Sequence, residues 1–339
     1  MSTTKMPVPV IESSIKTVRP PYDPFLQPAL EASSAQLPEM LDLQTLRSIS
    51  NNFGPDGVLK SYPDMDHNEQ TIPGLQDGDD EVILSIFRPK APSNSRFPTL
   101  YYVHGGGQVS GNRFTATDKI MDYFGEVKIV CVSVEYRLAP EHPAPAGVYD
   151  SYAGLVWAVD HAAELGIDAA KIFVVGGSGG APIALGTSML CRNNQKPYPL
   201  AQMILTPMLD DRDNTVSAEQ FARDGPWCGT TNRMAWDHVL GSKRGRPDVS
   251  GLEAPAREMD LAGLPPTFVD AGECEVFRDE AVAFASQLWK CGVSAELHVW
   301  PGAYHGFDIL TADAPISRES RAAKANWIKR ILGINLSRS

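Results

Sequence analysis

The chain has 339 residues, 43% of them hydrophobic, and a formal charge of -11. That length and apolar content exclude a structural peptide or a disordered tail, and allow one large α/β domain or two smaller ones. The charge disfavours a nucleic-acid role, because such binding is built on Lys and Arg at phosphates. Five cysteines (Cys131, Cys191, Cys228, Cys274, Cys291) form no CxxC and no His/Cys cluster at metal-ligand spacing, which fits free thiols in a reducing compartment. Met1 to Lys16 has no basic stretch followed by an apolar one, and no segment is apolar over the length of a bilayer. The expectation is a cytoplasmic protein with no membrane span. The sequon Asn335-Leu336-Ser337 carries little weight without a secretion signal.

In chain order, Met1 to about Asp66 is rich in Pro and Ser and contains a helix-like stretch, Pro28 to Asn52, with Leu30, Leu37, Met40, Leu41 and Leu46. From Glu81 to Trp327 short apolar runs alternate with longer amphipathic ones, the βαβ pattern of a mostly parallel sheet. Strands are predicted at Val82 to Phe87, Thr99 to Val103, Ile129 to Glu135, Ile172 to Val175, Met203 to Leu205, Thr267 to Asp270 and Ala295 to Val299. Helices are predicted at Ala146 to Leu165, Ala181 to Arg192, Arg278 to Cys291 and Arg318 to Ile331. Asp210 to about Arg257 breaks the alternation and holds Phe221, Trp227, Met234 and Trp236. This segment and the N-terminal one are expected to cover the upper edge of the sheet, with those aromatics serving mainly as packing.

Three motifs carry chemistry. Val174-Val175-Gly176-Gly177-Ser178-Gly179-Gly180 is an apolar strand that ends in a glycine-flanked serine. Gly-x-Ser-x-Gly between strand and helix makes the sharp turn that exposes a serine, and a serine becomes a nucleophile only with a base beside it. Tyr101-Tyr102-Val103-His104-Gly105-Gly106-Gly107 ends another strand in glycines whose amides can approach a developing oxyanion, while His104 orients the loop. No GK[ST] follows, which argues against a phosphate cradle. Of the seven histidines, His305 lies in a loop after the last predicted strand, where the chain order serine, acid, histidine places a base. The acid is left open among Asp270, Glu273, Glu275, Asp279 and Glu280, although a triad carboxylate belongs on a fixed loop. Asp279 and Glu280 read as first-turn helix residues.

Four segments together resemble the hormone-sensitive-lipase-like, or plant-carboxylesterase-like, branch of the α/β-hydrolases. They are His104-Gly105-Gly106-Gly107, Tyr136-Arg137-Leu138-Ala139-Pro140-Glu141-His142-Pro143, Gly176 to Gly180, and Glu275-Val276-Phe277-Arg278-Asp279-Glu280 with His305-Gly306-Phe307. The resemblance covers about Val82 to Leu332. It implies an α/β-hydrolase fold with a mostly parallel central sheet, flanking helices and a helical cap. Residues 1–66 would form an N-terminal cap region and 67–339 the catalytic domain, with 210–257 as a second cap segment. It implies Ser178 as nucleophile, His305 as general base and then acid, and Glu275 as triad carboxylate, with Asp279 as the fallback. The amides of Gly105, Gly106 and Gly179 would hold the oxyanion. Tyr136 to Pro143 reads as a support loop in which Arg137 and Glu141 make buried pairs.

Two positions depart from the family pattern. Glu275-Val276 stands where most members have Asp-Pro, and Gly177 and Gly179 replace the inner residues of Gly-Asp-Ser-Ala-Gly. Each added glycine costs roughly 0.5–1 kcal/mol of chain entropy, so a looser elbow is expected. The implied activity is hydrolysis of short-chain or compact secondary-metabolite carboxylic esters, with no cofactor, a small-molecule substrate and a possible homodimer. The competing readings are a non-catalytic small-molecule receptor on this fold, which would lack the histidine, and amide or carbamate hydrolysis or a lyase.

Overall fold

The computed structural model describes residues 18–34, 41–50, 52–92 and 94–334. Met1 to Lys16, Leu37, Met40 and the sequon Asn335-Leu336-Ser337 lie outside them. The helices are α1 (Gln27–Ser34), α2 (Leu43–Ser50), α3 (Pro55–Ser61), α4 (Thr117–Met121), α5 (Ala146–Asp160), α6 (Ala162–Leu165), α7 (Gly180–Asn194), α8 (Val216–Gln220), α9 (Gly229–Leu240), α10 (Arg278–Lys290), α11 (Phe307–Leu310) and α12 (Pro315–Ile331). The strands are β1 (Met65–Ile72), β2 (Val82–Pro89), β3 (Phe97–Val103), β4 (Val130–Glu135), β5 (Ile167–Gly177), β6 (Ala201–Leu205), β7 (Thr267–Gly272) and β8 (Ala295–Trp300). They form one sheet in the order β1-β2-β4-β3-β5-β6-β7-β8. The first two pairings are antiparallel and the rest parallel, as the alternating pattern predicts.

Because side chains alternate across a strand, each apolar run feeds two cores. Val174, Ile204 and Val269 join Val148, Leu155, Ile183, Leu185 and Leu288 from α5, α7 and α10 on one face. Phe173, Val175, Met203, Leu205 and Phe268 pack with Ile120, Trp327 and Ile328 from α4 and α12 on the other. Burial on both faces explains why these strands are legible as short continuous apolar runs.

Two elements differ from expectation. β1 was not foreseen because its sequence, MDHNEQTI, is almost wholly polar. It is an edge strand, and its exposed charges block further strands from adding there. It also runs across the expected boundary between residues 66 and 67. The stretch Pro28 to Asn52 is not one helix but α1 and α2, because Asp42 Oδ1 accepts the Thr45 amide at 2.8 Å and starts a second helix.

The excursion from 210 to 257 is closed at its stem. The Arg257 guanidinium donates to both oxygens of buried Asp211, at 2.7 and 2.9 Å, and the Ala256 amide to Leu209 O at 3.1 Å. Burial raises the Asp211 pKa, but Arg257 and the Gly245 amide outweigh it and hold the carboxyl below its usual range. Phe221 and Trp236 are fully buried, so they pack as expected.

Glu280 ties the same stem to α10. Its Oε2 accepts the amides of Leu209 at 2.8 Å and Asp210 at 2.5 Å. Burial nevertheless pushes its pKa well above the ordinary carboxyl value. The folded state therefore binds a proton that the unfolded state releases above about pH 4.3, and this contribution to stability is lost as pH rises. Glu280→Gln keeps an acceptor for both amides and removes the titration. Thermal melts from pH 4 to 8 should show wild type losing ground to this variant with rising pH, and a difference independent of pH would contradict the assignment.

Candidate active site

The serine turn is built by close backbone approach. A Cβ on Gly176 would lie 2.4 Å from Gly180 O, and one on Gly180 would lie 2.3 Å from Val103 O, so β3, β5 and α7 meet with no room for side chains. Ser178, between them, has φ 53°, a left-handed conformation that costs a non-glycine residue about 1–2 kcal/mol. Its amide donates to Leu205 O at 2.9 Å, and its carbonyl accepts Ala181 N at 3.1 Å and Met208 N at 3.2 Å. The parallel sheet thus holds the strained turn on both sides.

Ser178 Oγ stands 3.0 Å from His305 Nε2, and His305 Nδ1 stands 2.5 Å from Glu275 Oε2. With Nδ1–H donating a hydrogen bond to the carboxylate, Nε2 is left to accept the serine hydroxyl. Phe277 meets the imidazole edge-on at 5.2 Å and Trp227 lies at 6.4 Å. Glu275 is 1% exposed, and its Oε1 accepts the Gly272 amide of its own loop at 2.6 Å. That loop is clamped to the histidine loop by Glu273 N to Trp300 O at 2.8 Å and Cys274 N to Ala303 O at 2.9 Å.

Each of the other four acidic side chains is occupied elsewhere. Glu273 accepts Gly302 N at 2.9 Å, and Glu280 holds the stem described above. Asp279, the fallback, accepts Ser217 N at 2.8 Å and Arg278 Nε at 2.7 Å. Burial raises its pKa, but Arg278 and the Ser217 amide win and lower it. Asp270 pairs with Lys324 at 2.8 Å.

His104 is fully buried and stacked on Tyr136 at 4.2 Å, with Nδ1 2.8 Å from Gly105 O. Burial lowers its pKa to about 4, so it is a neutral brace for the glycine loop. Gly105 and Gly106 line the cavity beside Ser178. Gly106 has φ 113°, and a Cβ there would lie 2.2 Å from Ser110 O, so only glycine fits. A Cβ on Gly179 would lie 2.3 Å from Gly107 N and 2.5 Å from Gln108 N. Gly107, the third glycine of the triplet, thus brings its amide to the serine turn, a placement the sequence reading missed.

The two unusual glycines of the turn have opposite surroundings. Gly179 is packed against the glycine loop, whereas a Cβ on Gly177 would meet nothing closer than Leu205 at 3.9 Å. Only Gly177 leaves open space. Of the support loop, Arg137 pairs at 2.8 Å with Asp150, which is 0% exposed, as foreseen. Glu141 instead pairs with Arg47 at 2.6 Å and is 55% exposed, a correction: α2 brings Arg47 to it from outside the sheet domain, at the surface.

The site opens into a cavity of about 380 Å³ lined by Leu41, Leu46, Ile49 and Phe53 on one side and Pro226 and Trp227 on another. Among the described residues, no group of three or more His, Cys, Asp or Glu side chains converges as metal ligands, and no helix is long and apolar enough to cross a membrane.

A serine on a strand-to-helix turn, facing a histidine and a carboxylate at the carboxyl edge of a mostly parallel sheet, is an arrangement for attacking carbonyl compounds on the α/β-hydrolase scaffold. The chain belongs to that family, in the hormone-sensitive-lipase-like esterase branch: the profile of the alpha/beta hydrolase fold matches residues 100–309. It is 29% identical over 317 residues to carboxylesterase NlhH of Mycobacterium tuberculosis, covering 93% of this chain and 97% of that one. It is 30% identical over 286 residues to carboxylic ester hydrolase LipN of the same species, covering 78% and 76%. A bacterial heroin esterase has a similar structure, with a TM-score of 0.80 and 34% identity over 91% of this chain and 98% of that one. The chain is a carboxylic ester hydrolase.

The two glycines give a test of the turn. Gly179→Ala overpacks the glycine loop and should destabilise the protein by about 1–3 kcal/mol. Gly177→Ala should match wild type or gain up to about 1 kcal/mol, through a less flexible unfolded chain. Urea unfolding of both variants checks this, and equal losses would contradict the packing.

Proposed function

We propose that this esterase works by nucleophilic catalysis at Ser178, on short-chain or compact carboxylic esters. The observation that carries the reading is the chain of contacts from Ser178 Oγ through His305 to buried Glu275. His305 takes the serine proton as Oγ attacks the carbonyl, and the carboxylate of Glu275 steadies the imidazolium that forms. The tetrahedral oxyanion is held by the amides of Gly105, Gly106 and Gly179, with that of Gly107 as a further donor. Collapse expels the alcohol, protonated by His305, and leaves an acyl-serine. Water then attacks with His305 again as base, releasing the acid.

The N-terminal region and residues 210–257 act as the cover that limits acyl length, supported by the cavity walls contributed by α2 and Trp227. Turnover of long-chain triglyceride emulsions at rates matching short esters would sink this part of the reading. The intact histidine argues for catalysis over a ligand receptor.

The direct experiment is labelling with a serine-directed phosphonate read by intact mass, beside turnover of a p-nitrophenyl ester series. Wild type should gain one adduct and hydrolyse the short esters, and Ser178→Ala should do neither. His305→Ala should lose about 10⁴-fold or more in kcat. Glu275→Ala should fall by roughly 10⁴-fold, whereas Asp279→Ala should change Tm more than kcat. A larger loss of kcat at Asp279 would reassign the acid, and a wild type that neither labels nor turns over would return the receptor reading.

A further inference from the structure

The proposed mechanism leaves two carboxylates of the cavity unused, Asp270 and Asp308. Asp270 is beside Leu205 in the sheet register, and Leu205 is beside Gly177. Two strand spacings put Asp270 about 10 Å from the residue that precedes Ser178. It shares its face of β7 with Phe268, is 0% exposed, and lines the same cavity as Ser178 and His305, together with Tyr123, Asp308 and Lys324.

Its two oxygens are served unequally. Oδ2 accepts Lys324 Nζ at 2.8 Å and Trp300 Nε1 at 3.1 Å, while Oδ1 has no partner among the described residues. Lys324 has nothing left to offer it. Its three donors go to Asp270 Oδ2, to Asp308 Oδ2 at 2.6 Å and to Ser320 Oγ at 2.8 Å. The Tyr123 hydroxyl is spent on Asp308 Oδ2 at 2.8 Å. Burial lowers the Lys324 pKa, but the two carboxylates outweigh it and raise the value, so the lysine stays charged. The cluster formally holds two negative charges against one positive. A buried acceptor without a donor is unfavourable, the more so in a cavity whose other walls are largely apolar.

We propose that this cluster is a polar subsite at the far end of the ester pocket, and that the fitting ester carries a hydroxyl or protonated amine roughly 6–8 Å from its reacting carbonyl. The inference rests on Ser178 being the nucleophile. The substrate's donor bonds to Asp270 Oδ1, and a protonated amine also balances the excess negative charge, so it is the stronger of the two ligands. Gly177 keeps the route open, because it lines the cavity beside Leu205 without a side chain, and a Cβ there would meet nothing closer than Leu205 at 3.9 Å. A purely structural cluster, tying α11 and α12 to β7, would show no preference for such substrates.

The test uses two matched series, because the donor can sit on either half of the ester. One is p-nitrophenyl heptanoate, 6-hydroxyhexanoate and 6-aminohexanoate. The other is pentyl, 4-hydroxybutyl and 4-aminobutyl acetate, followed by proton release. In at least one series the donor-bearing esters should exceed the methyl-ended one about tenfold or more in kcat/KM. Asp270→Asn should collapse that ratio towards one, with Asp270→Ser in reserve should the first variant not fold. Ratios within about twofold in both wild-type series, or a preference that survives in a folded variant, overturn the subsite and leave the esterase reading standing. Hydrolysis of no ester in either series brings down both.

Discussion

Everything at this site depends on a contact between two stretches of bare backbone. The turn at 176–180 and the loop at 103–108 approach so closely that a single methyl group at Gly179 or Gly180 would strike main-chain atoms of the other. This contact sets the distance between the serine and the amides that face it, and it leaves Ser178 in a left-handed conformation. Backbone groups have fewer ways to relax than side chains, so donors placed this way cost little reorganisation when charge develops beside them. The buried stack of His104 on Tyr136 fixes the loop from behind.

The carboxyl end of β7 shows how a short, acid-rich stretch can be unambiguous in space. Five carboxylates fall within eleven residues, yet each has its own partner: His305, Gly302 N, Ser217 N, the Leu209 and Asp210 amides, and Lys324. A carboxylate already engaged with two backbone amides is a poor competitor for an imidazole. Separate occupation of the neighbours is what leaves Glu275 as the partner of His305.

Much of the fold was legible because β3 to β7 are largely buried on both faces and read as apolar runs between amphipathic helices. β1 was illegible for the converse reason, since an edge strand facing water needs polar residues and so loses its apolar signature. At the site, Ser178, His305 and the glycine triplet were visible because strained turns and close approaches admit few residue types. The choice of Glu275 came from family resemblance, as spacing could not separate it from Asp279. Gly107's approach to Gly179 and the free oxygen of Asp270 were invisible, because both depend on contacts between segments some 50 to 70 residues or more apart in the chain. Of the two unusual glycines of the elbow, Gly177 has space for a side chain and Gly179 has none.

The closed stem of the 210–257 excursion has a consequence for how such a protein can change. Asp211 and Arg257 shut the loop at its base, and Glu280 fastens the same base to α10. Loop-closure entropy rises only slowly with length, so residues between the fastened ends can be exchanged or added at small cost. The sheet and its serine turn are insulated from that variation. A lineage carrying this scaffold can therefore reshape what enters the pocket while inheriting the reacting groups unchanged, with the ion pair at the stem as the hinge between invention and constancy.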